Sequence, residues 1–129
     1  MRSDPGDTEV MITTFAEYQE KALAIAEYKQ RHQPLIGMVY TALGVAEEAG
    51  EVAGKIKKML RDNGGVITEE IAQKIRREMG DNLWYLAALS DELDFAGFPT
   101  SLVSVANIGI EKIYDRAARG VLGGSGDDR

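Results

Sequence analysis

Glu47, Glu48 and Glu51, in the run Glu47-Glu48-Ala49-Gly50-Glu51, and Glu78 and Asp81, in Glu78-Met79-Gly80-Asp81, are the residues whose types and spacing could do chemistry. Spacings of three and four residues put Glu48 and Glu47 each beside Glu51 on one helix face, and Glu78 beside Asp81 on another. The two sets are mirror images about one point: positions 48 and 81, and positions 51 and 78, are both centred between Gly64 and Gly65. In an antiparallel helical hairpin that reverses at those glycines, the carboxylate pairs sit at the same height and can face one another. Four carboxylates gathered in this way repel strongly even at an effective dielectric of about 20, and a divalent cation is the natural neutraliser. An all-oxygen donor set selects magnesium or manganese over zinc or copper. Magnesium keeps open positions that phosphate oxygens fill, so the pattern suggests a phosphate-bearing substrate. A ferritin-like di-iron site would need Glu-x-x-His on two helices; the one histidine, His32, falls in a loop, where solvation is the expectation. Either pair taken singly would read as a solvated helix face, and it is the mirror placement that argues otherwise.

The elements that must hold these residues are all helical. Four segments carry apolar residues at three- and four-residue spacing, and none keeps the alternation of a strand. The expected fold is an all-α bundle of four main helices. The first is expected from Thr14, whose hydroxyl can cap while Glu17 reaches back in a capping box, to about Gln30, with Phe15, Leu23, Ile25 and Ala26 on its apolar face. Arg31-His32-Gln33-Pro34 breaks it. The second runs from about Leu35 to Arg61 and ends at Asp62-Asn63-Gly64-Gly65, where glycines allow left-handed dihedrals. Thr68 caps the third, with Glu69 and Glu70 at its positive end, and it continues to Phe95. Gly97-Phe98-Pro99 stops it. Thr100 or Ser101 opens the fourth, which runs to about Ala118. Gly44, Gly50 and Gly54 would each cost about 0.5–1 kcal/mol in an exposed helix, which predicts close approach of a backbone or ligand there, and Gly80 repeats the pattern on the third helix.

The chain has 129 residues, with 15 Lys and Arg against 21 Asp and Glu, for a net charge of −6. That length is one domain, and the acidic balance argues against a nucleic-acid partner. The absence of cysteine removes disulfides, thiolate metal sites and cysteine nucleophiles, and suits a cytoplasmic protein. No apolar run approaches the roughly 20 residues a membrane helix needs. The expected division is a flexible leader over 1–12, a domain over 13–119 and a glycine-rich tail over 120–129.

With the carboxylates placed on their helices, the chain resembles the MazG-type nucleotide pyrophosphohydrolases of the all-α NTP pyrophosphatase superfamily. The family pattern is Glu-Glu-x-x-Glu, a gap, then Glu-x-x-Asp, met here by Glu47, Glu48, Glu51, Glu78 and Asp81, with 26 residues between. Val45 to Val52 and Glu78 to Leu86 resemble the corresponding family helices, and the likeness covers about residues 14–119. The resemblance implies hydrolysis of a nucleoside triphosphate between its α and β phosphates, with Glu48, Glu51, Glu78 and Asp81 binding Mg²⁺ (Mn²⁺ as a substitute). Glu47 would orient or deprotonate the attacking water, or support a ligand from behind. It also implies a homodimer or homotetramer.

The rest of the triphosphate needs cations. Lys55 shares a face with Glu51, and Lys112 and Arg116 lie on a basic stripe of the fourth helix; these three are the expected phosphate contacts. Lys58 and Arg119 read equally well as salt-bridge partners. The family commonly has Asn three residues before the fourth-helix Lys, where this chain has Gly109. Tyr40, Trp84, Tyr85 and Tyr114 could stack on a base, although for Trp84 and Tyr85 a place in the core is the stronger expectation. The alternative to an enzyme is a catalytically silent helical metal-binding or interaction module.

Overall fold

The computed structural model describes residues 11–121, which form four helices and no strand among them. They are α1 (Phe15–Ala24), α2 (Ile36–Asp62), α3 (Glu69–Phe95) and α4 (Leu102–Arg119). The glycine-rich residues beyond 121 and most of the expected leader lie outside the described residues.

The caps follow from the sequence. The Thr14 hydroxyl accepts from Glu17 N at 3.0 Å, while the Glu17 carboxylate accepts from Thr13 N at 3.2 Å and from both threonine hydroxyls; the box therefore closes one residue earlier than expected. Thr68 Oγ1 accepts from Ile71 N, and Ser101 and Ser104 cap α4 reciprocally. α4 ends at Gly120, whose left-handed φ of 72° lets the N–H of Val121 reach Arg116 O at 2.8 Å.

The expectation for α1 is corrected: it stops at Ala24, six residues short of Gln30. The Arg31 guanidinium folds back to donate to the carbonyls of Ala26 at 3.1 Å and Leu23 at 3.4 Å, and also binds Asp91 on α3. These bonds satisfy carbonyls that a longer helix would have used, so residues 25–35 run as turns along α3 instead. Ala26 is buried and Leu23 partly so, whereas Phe15 and Ile25 of the expected apolar face are exposed.

α2 and α3, of 27 residues each, make the main antiparallel pair, reversing at Gly64 (φ 60°) and Gly65 (φ 76°). Asn63 closes the turn by donating its side-chain amide to Val66 O at 2.7 Å. α1 and α4 pack on α3 and on each other around Ala22, Ala87 and Leu102, flanked by Tyr18, Leu83 and Trp84. The Trp84 indole donates to Ala22 O at 3.2 Å, which fixes it as a core residue. Gln19 ties the layers together, accepting from Leu102 N at 2.8 Å.

Candidate functional site

The α2–α3 hairpin decides which side chains meet. Glu48 and Asp81 stand equidistant from the Gly64–Gly65 turn, as do Glu51 and Glu78 one turn nearer to it. Carboxylate oxygens of Glu48, Glu78 and Asp81 lie within 4.8 Å of one another. Glu48 and Glu78 are partly buried and Asp81 is exposed. Lys55 Nζ stands 3.7 Å from Glu78 Oε1. Glu51, expected as a fourth ligand, is exposed and does not join the group of three. Glu47 is also exposed and faces a separate cleft.

Partial burial, followed by the charges of Asp81, Glu78 and Glu47 and a hydrogen bond with Glu78, holds the Glu48 carboxyl above the ordinary glutamate range. Burial and the Asp81 charge likewise raise the Tyr18 phenol, which places a core tyrosine of α1 beside the cluster. A cation at this point would relieve that repulsion, and oxygen donors from two helices suit the hard ions Mg²⁺ and Mn²⁺. The donor set therefore fits the metal.

One helical layer beyond the carboxylates, away from the turn, the Tyr85 ring packs against Gly44, where a Cβ would overlap it. Close approach of a backbone or ligand was expected at Gly44; the group that approaches is instead a side chain, the Tyr85 ring. Gly50, Gly54 and Gly80 face open space instead, since no atom of the chain lies within 4 Å of where their Cβ would be. Tyr40, Leu43, Gly44, Glu47 and Tyr85 line a cleft of about 360 Å³. Burial, a hydrogen bond with Tyr40 and the charges of Glu48 and Glu47 raise the Tyr85 phenol. Tyr40 is itself stacked on Tyr28, with centroids 5.2 Å apart and planes 11° from parallel. On the other side of the carboxylates, toward the turn, Lys55, Lys58 and Lys74 line a second cleft of about 330 Å³. Lys74 was not among the expected residues, although its position opposite Lys55 across the turn can be read from the numbering.

α4 packs on α1 and α3. Neither Lys112 nor Arg116 lines the two clefts on the hairpin. Arg116 is buried, 6% exposed; Arg119 pairs with Asp115 at 2.9 Å. Tyr114 is 70% exposed and stands outside both clefts.

The expectation that His32 is solvated is corrected. Its ring stacks on Phe95, with centroids 4.1 Å apart and planes 2° from parallel, and Nε2 lies 2.7 Å from Asp91 Oδ2. His32, Asp91 and Glu92 form a second group with ligand atoms within 4.8 Å. Glu92 is 3% exposed and accepts from the Tyr28 hydroxyl and, at 3.2 Å, from His32 N. Asp91 also binds Arg31 at 3.3 Å. This cluster was not legible because its members come from a loop and a helix about 60 residues apart.

Comparison with known proteins identifies the chain. Residues 39–120 match the MazG nucleotide pyrophosphohydrolase domain, a span that holds all five candidate acids and both clefts on the hairpin. The chain is 43% identical over 93 residues to the gene 37 protein of Mycobacterium phage L5, covering 72% of this chain and 77% of that protein. No solved structure matches. The all-α hairpin, the acids it gathers and both matches lead to one statement: the chain belongs to the MazG nucleotide pyrophosphohydrolase family.

Proposed function

We propose that the protein is a Mg²⁺-dependent pyrophosphohydrolase that cleaves a nucleoside triphosphate to the monophosphate and pyrophosphate, serving nucleotide-pool housekeeping in the cytoplasm. The observation that carries this reading is the convergence of Glu48, Glu78 and Asp81 from two helices of a family member, with Lys55 beside Glu78.

Glu48, Glu78 and Asp81 would hold Mg²⁺, with Glu51 from the next turn completing the set. When bound, the cation supplies a Lewis acid that offsets charge building on the α-phosphate and makes water a better nucleophile. Glu47, on the rim of the tyrosine cleft, orients the water or takes its proton. Oxygen adds to the α-phosphorus, the bond from that phosphorus to the bridging oxygen breaks, and pyrophosphate leaves with the bridging electron pair. Lys55, one turn from Glu51, and Lys112 and Arg116 of α4 are the proposed phosphate contacts.

A homodimer or homotetramer is part of the proposal. Leu43 is 65% exposed, Ile108 63% and Tyr114 70%, while the buried apolar core holds few large side chains. Exposed apolar side chains on this scale are what a partner subunit would cover.

The test is pyrophosphate release from a panel of ribo- and deoxynucleoside triphosphates with Mg²⁺, products separated by chromatography, beside thermal melts with and without Mg²⁺ or Mn²⁺. Monophosphate plus pyrophosphate is expected. Metal-dependent stabilisation without turnover of any nucleotide would instead favour the silent metal-binding module.

A further inference from the structure

Tyr28 belongs to no helix and lines neither cleft of the hairpin, yet four interactions converge on it. Its hydroxyl donates to Glu92, one ring face stacks on Tyr40, its ring stands edge-on to Trp84 with centroids 6.1 Å apart and planes at 82°, and its carbonyl accepts from Arg31 N at 3.2 Å. The segment that carries it holds a demanding conformation. His32 (φ 59°) and Leu35 (φ 66°) both take left-handed dihedrals, which residues with a Cβ keep only where their surroundings enforce them.

Glu92 aims the Tyr28 phenol. It is 3% exposed, and Gly37 makes room for it, since a Cβ there would overlap its carboxylate. An apolar side chain of similar size would fill the same place without the cost of burying a carboxylate. What the carboxylate adds is direction, because it holds a hydroxyl more firmly than a neutral acceptor does.

The register of the hairpin carries this anchoring to the cleft. Glu92 opposes Gly37 and Tyr85 opposes Gly44, each pair equidistant from the Gly64–Gly65 turn, so Glu92 and Tyr85 share one face of α3 two turns apart. Tyr28 and Tyr40 bridge that interval: Glu92 fixes Tyr28, Tyr28 stacks on Tyr40, and Tyr40 hydrogen-bonds with Tyr85. Tyr40 and Tyr85 line the cleft that also holds Glu47.

Resting on the pyrophosphohydrolase reading, we infer that Tyr28 is a positioning residue: anchored on Glu92, it preorganises Tyr40, and through it Tyr85, as a fixed wall of the Glu47 cleft. A loose wall would have to be ordered when substrate enters, which weakens binding. Tyr28 touches no reacting atom, so the loss falls equally on the bound substrate and on the transition state, and KM rises while kcat stays.

The experiment is steady-state pyrophosphate release by the full-length protein, with the triphosphate that turns over fastest, below the melting temperature of every variant. Tyr28→Leu is expected to raise KM about threefold to tenfold, the change that corresponds to one lost aromatic pair, and to leave kcat within about twofold. Tyr28→Met, which fills the space with a flexible side chain, is measured beside it, so that a folded variant without the ring is at hand even where Tyr28→Leu fails to fold. Tyr28→Phe keeps the ring against Tyr40 and loses only the bond to Glu92, and is expected to recover most of the rise. His32→Ala is the control: it loosens the same segment by removing the contacts with Asp91 and Phe95, and its KM is expected to match wild type. An unchanged KM in the variants without the ring, a fall in kcat in place of the rise in KM, or an equal rise in His32→Ala overturns the positioning role and leaves the reaction intact. A wild-type protein that releases no pyrophosphate from any nucleotide overturns the underlying reading, and the positioning role with it.

Discussion

Two groups that α3 shares with neighbouring segments each bring three possible ligand atoms within 4.8 Å: Glu78 and Asp81 near its middle with Glu48 of α2, and Asp91 and Glu92 near its end with His32 of the preceding loop. Their surroundings differ in kind. At the second, Arg31 and the His32 ring answer Asp91, and the Tyr28 hydroxyl and a backbone N–H answer Glu92, which is nearly fully buried against Gly37. The ligand positions there are already taken by the protein. At the first, Lys55 approaches Glu78 at 3.7 Å, and partial burial, followed by the charges of Asp81, Glu78 and Glu47, raises the Glu48 carboxyl. A cluster of acids closed on itself holds a fold together; the first is the one proposed to take a metal ion from solution.

The largest effect that could break this contrast is on catalysis. Glu78→Gln keeps the shape and hydrogen-bonding reach of the side chain but removes one of three converging charges, and is expected to reduce kcat/KM by about 10²–10³, of the order seen when one electrostatic stabiliser of a transition state is lost. Steady-state pyrophosphate release measures it. The same variant is expected to melt no lower than wild type in the absence of metal, because a repulsion has been relieved. A lower metal-free melting temperature would show that Glu78 is structural after all, like Glu92.

Next in size is the closed cluster. Glu92→Ala leaves the Tyr28 hydroxyl and His32 N without their acceptor and opens a void beside Gly37, and is expected to cost about 2–4 kcal/mol in urea unfolding. The protein that remains folded should retain its response to Mg²⁺. That response forms a third prediction: wild type gains about 1–3 kcal/mol of stability at metal concentrations well above Kd, Glu78→Gln loses most of the gain, and His32→Ala keeps it, as read in melts titrated with Mg²⁺ and with a chelator.

These contrasts also show what the sequence could reveal. The hairpin was legible because helical rise is constant: residues equidistant from Gly64–Gly65 must stand opposite one another, and Glu48 with Asp81, and Gly44 with Tyr85, do so. Caps at Thr14, Thr68 and Ser101 were legible because their bonds reach only three residues. The end of α1 was not, since Arg31 chooses between a longer helix and the carbonyls behind it according to where Asp91 lies, 60 residues on. His32 failed for the same reason: its partners, Asp91 and Phe95, are supplied by α3. Glu51 marks a different limit. Its register with Glu78 follows from the backbone, but whether its carboxylate turns toward the cluster depends on side-chain torsions that spacing does not encode.

The smallest effect tests the glycines, where one sequence pattern hides two physical situations. Gly44 lies under the Tyr85 ring, so Gly44→Ala must push that ring aside, and overpacking of this kind costs about 1–3 kcal/mol. Gly50, six residues along the same helix, faces nothing within 4 Å. Gly50→Ala should therefore gain the helix propensity that glycine withholds, about 0.5–1 kcal/mol, with a matching rise in melting temperature. Opposite signs from two identical substitutions on one helix would show that α2 is closed on the tyrosine side and open on the Gly50 face. A loss at Gly50 that grows with protein concentration would mean that a second copy packs there, since a methyl group in open solvent has nothing to strike, and would place the proposed oligomer interface directly beside Glu51.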